Sequence, residues 1–93
     1  MVAAEEAYRT GLVNHVVPAD ELLPFCTALA QKIIKNSPAA ISMAINAVNA
    51  NYKEGVNGFE TEIKSFGKCF GTDDFKEGTK AFLEKRKAVF TGE

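Results

Sequence analysis

Only one stretch of this 93-residue chain reads as a β-strand, and one strand cannot make a sheet. Leu12 to Val17 carries the β-branched residues Val13, Val16 and Val17, and Pro18 then removes the backbone donor that a continuing ladder would need. Either this segment pairs with a strand outside the chain or it is an extended connector. Everything else carries helix signals. The chain is therefore expected to be all-α, with five helices, short connections and one short extended segment near the start.

The punctuation of those helices is local and legible. Ala3 to Thr10 is rich in alanine and glutamate, and its acidic start suits the partial positive charge of a helix N-terminus. Gly11 is placed to cap its C-terminus. Asp20 to Lys35 spaces Leu22, Phe25, Cys26, Leu29, Ile33 and Ile34 along one face. Pro24 is tolerated only in a first turn, so this helix can begin a residue or two after Asp20. Asn36-Ser37-Pro38 is the clearest start, with Ser37 as N-cap and Pro38 at the first helical position. The third helix carries Ile41, Ala44, Ile45, Val48 and Tyr52 at helical spacing, and Gly55 is expected to end it. Asn57 and Glu60 form a capping arrangement, Asn57 accepting from the backbone and Glu60 reaching back. The fourth helix then sets Phe59, Ile63, Phe66 and Phe70 on one face and closes at Gly71. Thr72 caps a fifth helix from Asp73 to about Glu84, acidic at its start and basic at its end. Gly78 inside it costs ~1 kcal/mol against alanine, which a close helix–helix contact would explain. Arg86 to Glu93 has no helical period.

Composition narrows the function classes. An apolar content of 46% over 93 residues suits one compact unit, with the thin stability margin of a short chain. A net charge of −1 provides no field for nucleic acid or an anionic membrane, and no apolar run approaches a membrane span. No basic-then-apolar leader precedes a small-residue cleavage site. Cys26 and Cys69 match no metal or redox spacing and are read as reduced thiols of a cytoplasmic protein, with no metal site. The carboxylate pairs Glu5-Glu6, Glu60/Glu62 and Asp73-Asp74 each fall in a first helical turn, where capping and dipole compensation explain them. His15 stands alone, with no cysteine or serine placed beside it by any motif, and is read as a surface or junction residue. No residue of the chain is assigned as catalytic.

Several segments, in order and in register, carry a resemblance. Ala3, Glu5, Glu6 and Ala7 are followed by Gly11-Leu12-Val13-Asn14 and Val17-Pro18, and later by Thr72-Asp73-Asp74-Phe75-Lys76-Glu77-Gly78 and Ala81-Phe82-Leu83-Glu84-Lys85-Arg86-Lys87-Ala88-Val89-Phe90. From about Met1 to Gly92 the chain resembles the C-terminal part of the enoyl-CoA hydratase (crotonase) family. The resemblance implies a C-terminal helical lid and trimerisation domain over 1–93. The family's catalytic glutamates and oxyanion-hole residues lie in an N-terminal spiral domain that has no counterpart here. The extended segment would belong with that domain's sheet.

The implied function is the C-terminal part of a lyase that adds water across a 2,3-unsaturated acyl-CoA in fatty-acid metabolism, inactive alone and needing no cofactor. In the family, a Phe and a Lys three residues later lie against the nucleotide of a coenzyme A held mainly by a neighbouring subunit. Here these are Phe82 and Lys85, an aromatic ring for the adenine and an ammonium for a phosphate. Arg86 and Lys87 are weaker candidates, and Lys80 belongs to the same basic cluster. Phe66 and Phe70 would border the acyl end of the pocket, although as core the stripe needs no further explanation, and that is the favoured reading for most of its members. The implied partners are acyl-CoA and further copies of the chain, as a trimer or dimer of trimers in the parent. Two other readings stay open: a helical self-association module, or the same region of a sister enzyme (isomerase, 3-hydroxybutyryl-CoA dehydratase, decarboxylase or thioester hydrolase).

Overall fold

The computed structural model describes residues 1–93, which form five α-helices and no strand. They are α1 (Ala4–Arg9), α2 (Leu22–Ile33), α3 (Pro38–Ala50), α4 (Gly58–Cys69) and α5 (Asp73–Leu83), with a 3-10 turn at Ala19–Glu21. Two compact units result, Met1–Lys32 and Ile33–Glu93.

In the first unit, α1 is braced by a bidentate ion pair between Glu6 and Arg9. It ends as its sequence implies. Gly11 sits at φ +79°, its amide bonds Tyr8 O at 3.1 Å, and the Leu12 amide bonds Ala7 O at 2.8 Å. These two crossed bonds define a Schellman cap, whose left-handed position favours glycine. Residues 12–17 pair with no strand within the chain. The His15 ring lies 5.1 Å from the Phe25 ring. Pro24 is the third residue of α2, inside its first turn. Phe25 alone of the α2 stripe is half-buried; Leu22, Leu29, Ile33 and Ile34 are exposed.

The second unit is built on a hairpin of α3 against α4. Ser37 Oγ accepts from the Ala40 amide at 3.1 Å, with Pro38 opening the helix. α3 ends at Ala50, five residues before Gly55, and Tyr52 lies beyond it. The amides of Asn51, Tyr52 and Lys53 bond the carbonyls three residues back, which tightens the chain for its reversal. Gly58 then approaches Asn51 so closely that a Cβ there would stand 3.2 Å from Asn51 Cα. Asn57 Oδ1 accepts from the Glu60 amide at 3.2 Å, but the Glu60 carboxylate turns to Lys64, 3.1 Å away, and does not reach back.

The buried face of α4 is not the one its apolar stripe suggests. Gly58, Thr61, Ser65 and Cys69 are half-buried, whereas Phe59, Ile63, Phe66 and Phe70 are exposed, so the stripe is not core. Small and polar side chains let α4 approach the alanines of α3; Cys69 Sγ lies 3.2 Å from Met43 Sδ. Thr72 caps α5 by accepting from the Phe75 amide at 3.1 Å. The close neighbour of Gly78 is the Phe90 ring of the C-terminal tail, 3.4 Å from where a Cβ would lie, and not another helix. The buried residues of the chain are Ala7, Ala50, Ala81 and Asp74.

Candidate functional site

α5 carries Asp74 and Glu77 three residues apart, hence on one face, and that face holds the C-terminal tail. Asp74 is 2% exposed. Its Oδ2 accepts from Ser37 Oγ at 2.6 Å, and its Oδ1 accepts from the amides of Thr91 at 2.9 Å and Gly92 at 3.1 Å. The Asp74 amide in turn donates to Glu93 O at 2.8 Å. One carboxylate thus joins the start of α3, the start of α5 and the tail. Burial pushes the Asp74 carboxyl up, but the hydrogen bonds from Ser37, Thr91, Gly92 and Ala39 together outweigh it and hold it below its ordinary value. Glu77 accepts both terminal nitrogens of Arg86, at 2.6 and 3.1 Å, and the Val89 amide at 3.0 Å. The Arg86 bonds, then the Val89 bond, lower its pKa to about 2.

α5 stops at Leu83 with the same crossed bonds that end α1. The Lys85 amide bonds Phe82 O at 3.2 Å and the Arg86 amide bonds Ala81 O at 3.0 Å. Here the left-handed position is filled by Lys85, at φ +54°, the one non-glycine residue with positive φ in the chain. A left-handed L-residue costs ~1–2 kcal/mol. Lys85 forms no ion pair, and Phe82 beside it is 83% exposed. Arg86 differs: its guanidinium is consumed by Glu77 and by Glu84, 2.6 Å away, which removes it as a candidate for an external anion. Lys87 forms no ion pair. The two leading candidates of the sequence therefore sit together at the end of α5, an aromatic ring and an ammonium both presented to solvent.

Phe66 and Phe70 lie elsewhere, on α4. Their rings meet edge to face at 5.1 Å, and Phe70 continues to Phe75 at 4.7 Å. Phe66 lines a groove of about 530 Å³ between α3 and α4 with Met43, Ala47, Tyr52, Phe59 and Cys69; Phe70 does not. A second depression, about 400 Å³, is lined by Phe75, Thr79, Phe82 and Phe90. Both depressions are mainly apolar and open to solvent.

Sequence reasoning missed Asp74 and Glu77 as structural keys. Asp74 looked like one of a dipole-compensating pair, and its i, i+3 relation to Glu77 was the one available sign that both serve a single face.

The family model for enoyl-CoA hydratase/isomerase matches residues 1–93. Crotonyl-CoA hydratase of Syntrophomonas wolfei is 42% identical over 91 residues, covering 97% of this chain and 35% of the relative. Short-chain-enoyl-CoA hydratase of Clostridium acetobutylicum is 40% identical, covering 92% and 33%. The crystal structure of enoyl-CoA hydratase from Bacillus anthracis superposes with a TM-score of 0.85 at 35% identity, over 97% of this chain and 35% of that one. The chain spans about a third of the length of the relatives it matches.

Proposed function

The chain belongs to the enoyl-CoA hydratase/isomerase family, and from that premise we propose that it serves as the helical C-terminal part of a lyase hydrating 2,3-unsaturated acyl-CoA. Its duties in that enzyme are to hold the nucleotide end of the thioester and to assemble subunits. Phe82 stacks on the adenine and Lys85 pairs with a phosphate of a coenzyme A bound mainly by a neighbouring subunit. Phe66 and Phe70 border the acyl end.

The observation that carries this reading is Lys85 itself. α1 and α5 end in the same cap, and α1 fills the left-handed position with Gly11. A lysine in the corresponding place of α5 adds strain and leaves an unpaired ammonium beside an exposed phenyl ring, a combination that an anionic, aromatic ligand explains.

The hydration step needs two carboxylates at the double bond and two amides for the thioester oxyanion. Asp74 and Glu77 do not meet that need. Both are saturated with hydrogen bonds that stabilise their charged forms, so neither is poised to donate a proton at neutral pH. The chain alone is therefore inactive in this reading. The exposed apolar faces of α2, α3 and α4 support a second duty, packing against the remainder of the enzyme and against other subunits in a homo-oligomer, because apolar surface of this extent marks an interaction site.

The test is crotonyl-CoA hydration by the 93-residue chain alone, and by the Clostridium acetobutylicum relative with its matching segment replaced by residues 1–93. The hybrid is expected to turn over and the chain alone is not. Turnover by the chain alone, or a folded but inert hybrid, overturns the proposal.

A further inference from the structure

We propose that Glu77 is a positioning residue for Lys85, holding it in the left-handed conformation that leaves its ammonium free for an anionic ligand. This rests on the reading of Phe82 and Lys85 as contacts to coenzyme A.

The geometry is a latch around one residue. Lys85 is flanked by Glu84 and Arg86, and the Arg86 guanidinium bonds Glu84 through Nε at 2.6 Å and Glu77 through its terminal nitrogens. Glu77 also takes the Val89 amide, so the same carboxylate holds the chain on the far side of Lys85. The reversal after Leu83 is thereby fixed at residues 86 and 89. Within it, Lys85 has to turn left-handed for the Arg86 amide to reach Ala81 O. A free lysine disfavours that conformation about five- to thirtyfold. Two cap hydrogen bonds at a helix end, where fraying is easy, are weak restraint against such a bias. The charge-assisted bidentate pair between Glu77 and Arg86 adds the missing restraint. The latch also decides which basic group stays available. It consumes Arg86 and leaves Lys85 unpaired. Glu77 touches no ligand in this arrangement; it acts through Arg86.

The experiment has two readouts for the unaltered sequence, Glu77→Gln, Lys85→Ala and the double variant. One is nuclear magnetic resonance on the isotope-labelled 93-residue chain, for the backbone at Lys85. The other is coenzyme A affinity of the Clostridium acetobutylicum hybrid carrying residues 1–93, because the coenzyme is held mainly by a neighbouring subunit. A strong intraresidue amide-to-Hα contact reports left-handed Lys85 directly, without activity. Glu77→Gln is expected to lose that signature and to weaken coenzyme A binding about two- to fivefold, the size of an exposed charge contact. On the Lys85→Ala background it should add nothing further. Retention of the left-handed signature in Glu77→Gln overturns the inference, and so does a loss of affinity that adds fully to that of Lys85→Ala. If the Lys85→Ala hybrid binds coenzyme A as the unaltered hybrid does, the coenzyme A reading fails. The backbone signature in Glu77→Gln still decides the positioning role in that case.

Discussion

Ser37 Oγ donates a 2.6 Å hydrogen bond to Asp74 Oδ2 across 37 residues of sequence, and Ser37 is at the same time the N-cap of α3. The hydroxyl therefore serves two ends at once: its oxygen accepts from the Ala40 amide while its proton binds the carboxylate that also gathers the tail.

Asp74→Asn keeps the size of the side chain but removes the charge that three amides and a hydroxyl converge on. One of those donors must then face an amide NH₂. Thermal unfolding is expected to fall by on the order of 5–10 °C. Asp73→Asn is the control, since its carboxylate meets only the exposed Lys76 at 3.4 Å, and its melting temperature should stay within about 2 °C of the unaltered chain. Equal losses from the two substitutions would remove Asp74 from its structural role.

Acid should loosen the tail before the helices. Glu77 has a folded pKa of about 2 against an ordinary 4.5, so its contribution is fully present above about pH 4.5 and is lost as pH falls toward 2. Asp74 is shifted in the same direction and adds to the same acid limb. Melting temperature measured from neutral pH downward should therefore hold level and then drop through this window. Glu77→Gln should be less stable at neutral pH and show a shallower acid drop; an unchanged slope would mean the pair contributes nothing.

Lys85→Gly is expected to separate stability from binding. Glycine relieves the left-handed strain at φ +54°, which should stabilise the fold by about 1 kcal/mol and raise the melting temperature by on the order of 5 °C. In the hybrid enzyme the same change should raise KM for crotonyl-CoA about two- to fivefold and leave kcat nearly unaltered, since a contact to the remote nucleotide is uniform binding. A thioester lacking the nucleotide should not sense it. Loss on both substrates would assign Lys85 to folding or assembly.

The phenylalanines of α4 should drive self-association. Phe59 and Phe66 are 79% and 67% exposed and share one groove. Replacing both with serine should weaken association of the chain about tenfold or more, read by sedimentation over a range of concentrations. A chain that stays monomeric at high concentration before any substitution would dispose of the interface.

The sequence by itself determined the helices and their ends wherever the partner lies within three or four residues. Ser37, Asn57 and Thr72 cap as their side chains require, Gly11 closes α1, and the lone β-like segment finds no strand within the chain to pair with. The resemblance carried by the last twenty residues also singled out Phe82 and Lys85. Tertiary structure decided what depends on distant partners. Asp74 is a hub because Ser37, Thr91 and Gly92 come from 37, 17 and 18 residues away, and Glu77 because Arg86 and Val89 return from 9 and 12. Gly78 faces Phe90 for the same reason. The spacing of Phe59, Ile63, Phe66 and Phe70 establishes that α4 has an apolar face. Whether that face is core is a property of what lies opposite, and here α4 meets α3 through its glycine, threonine, serine and cysteine side, because small side chains let two helices close while the phenylalanines stay outside.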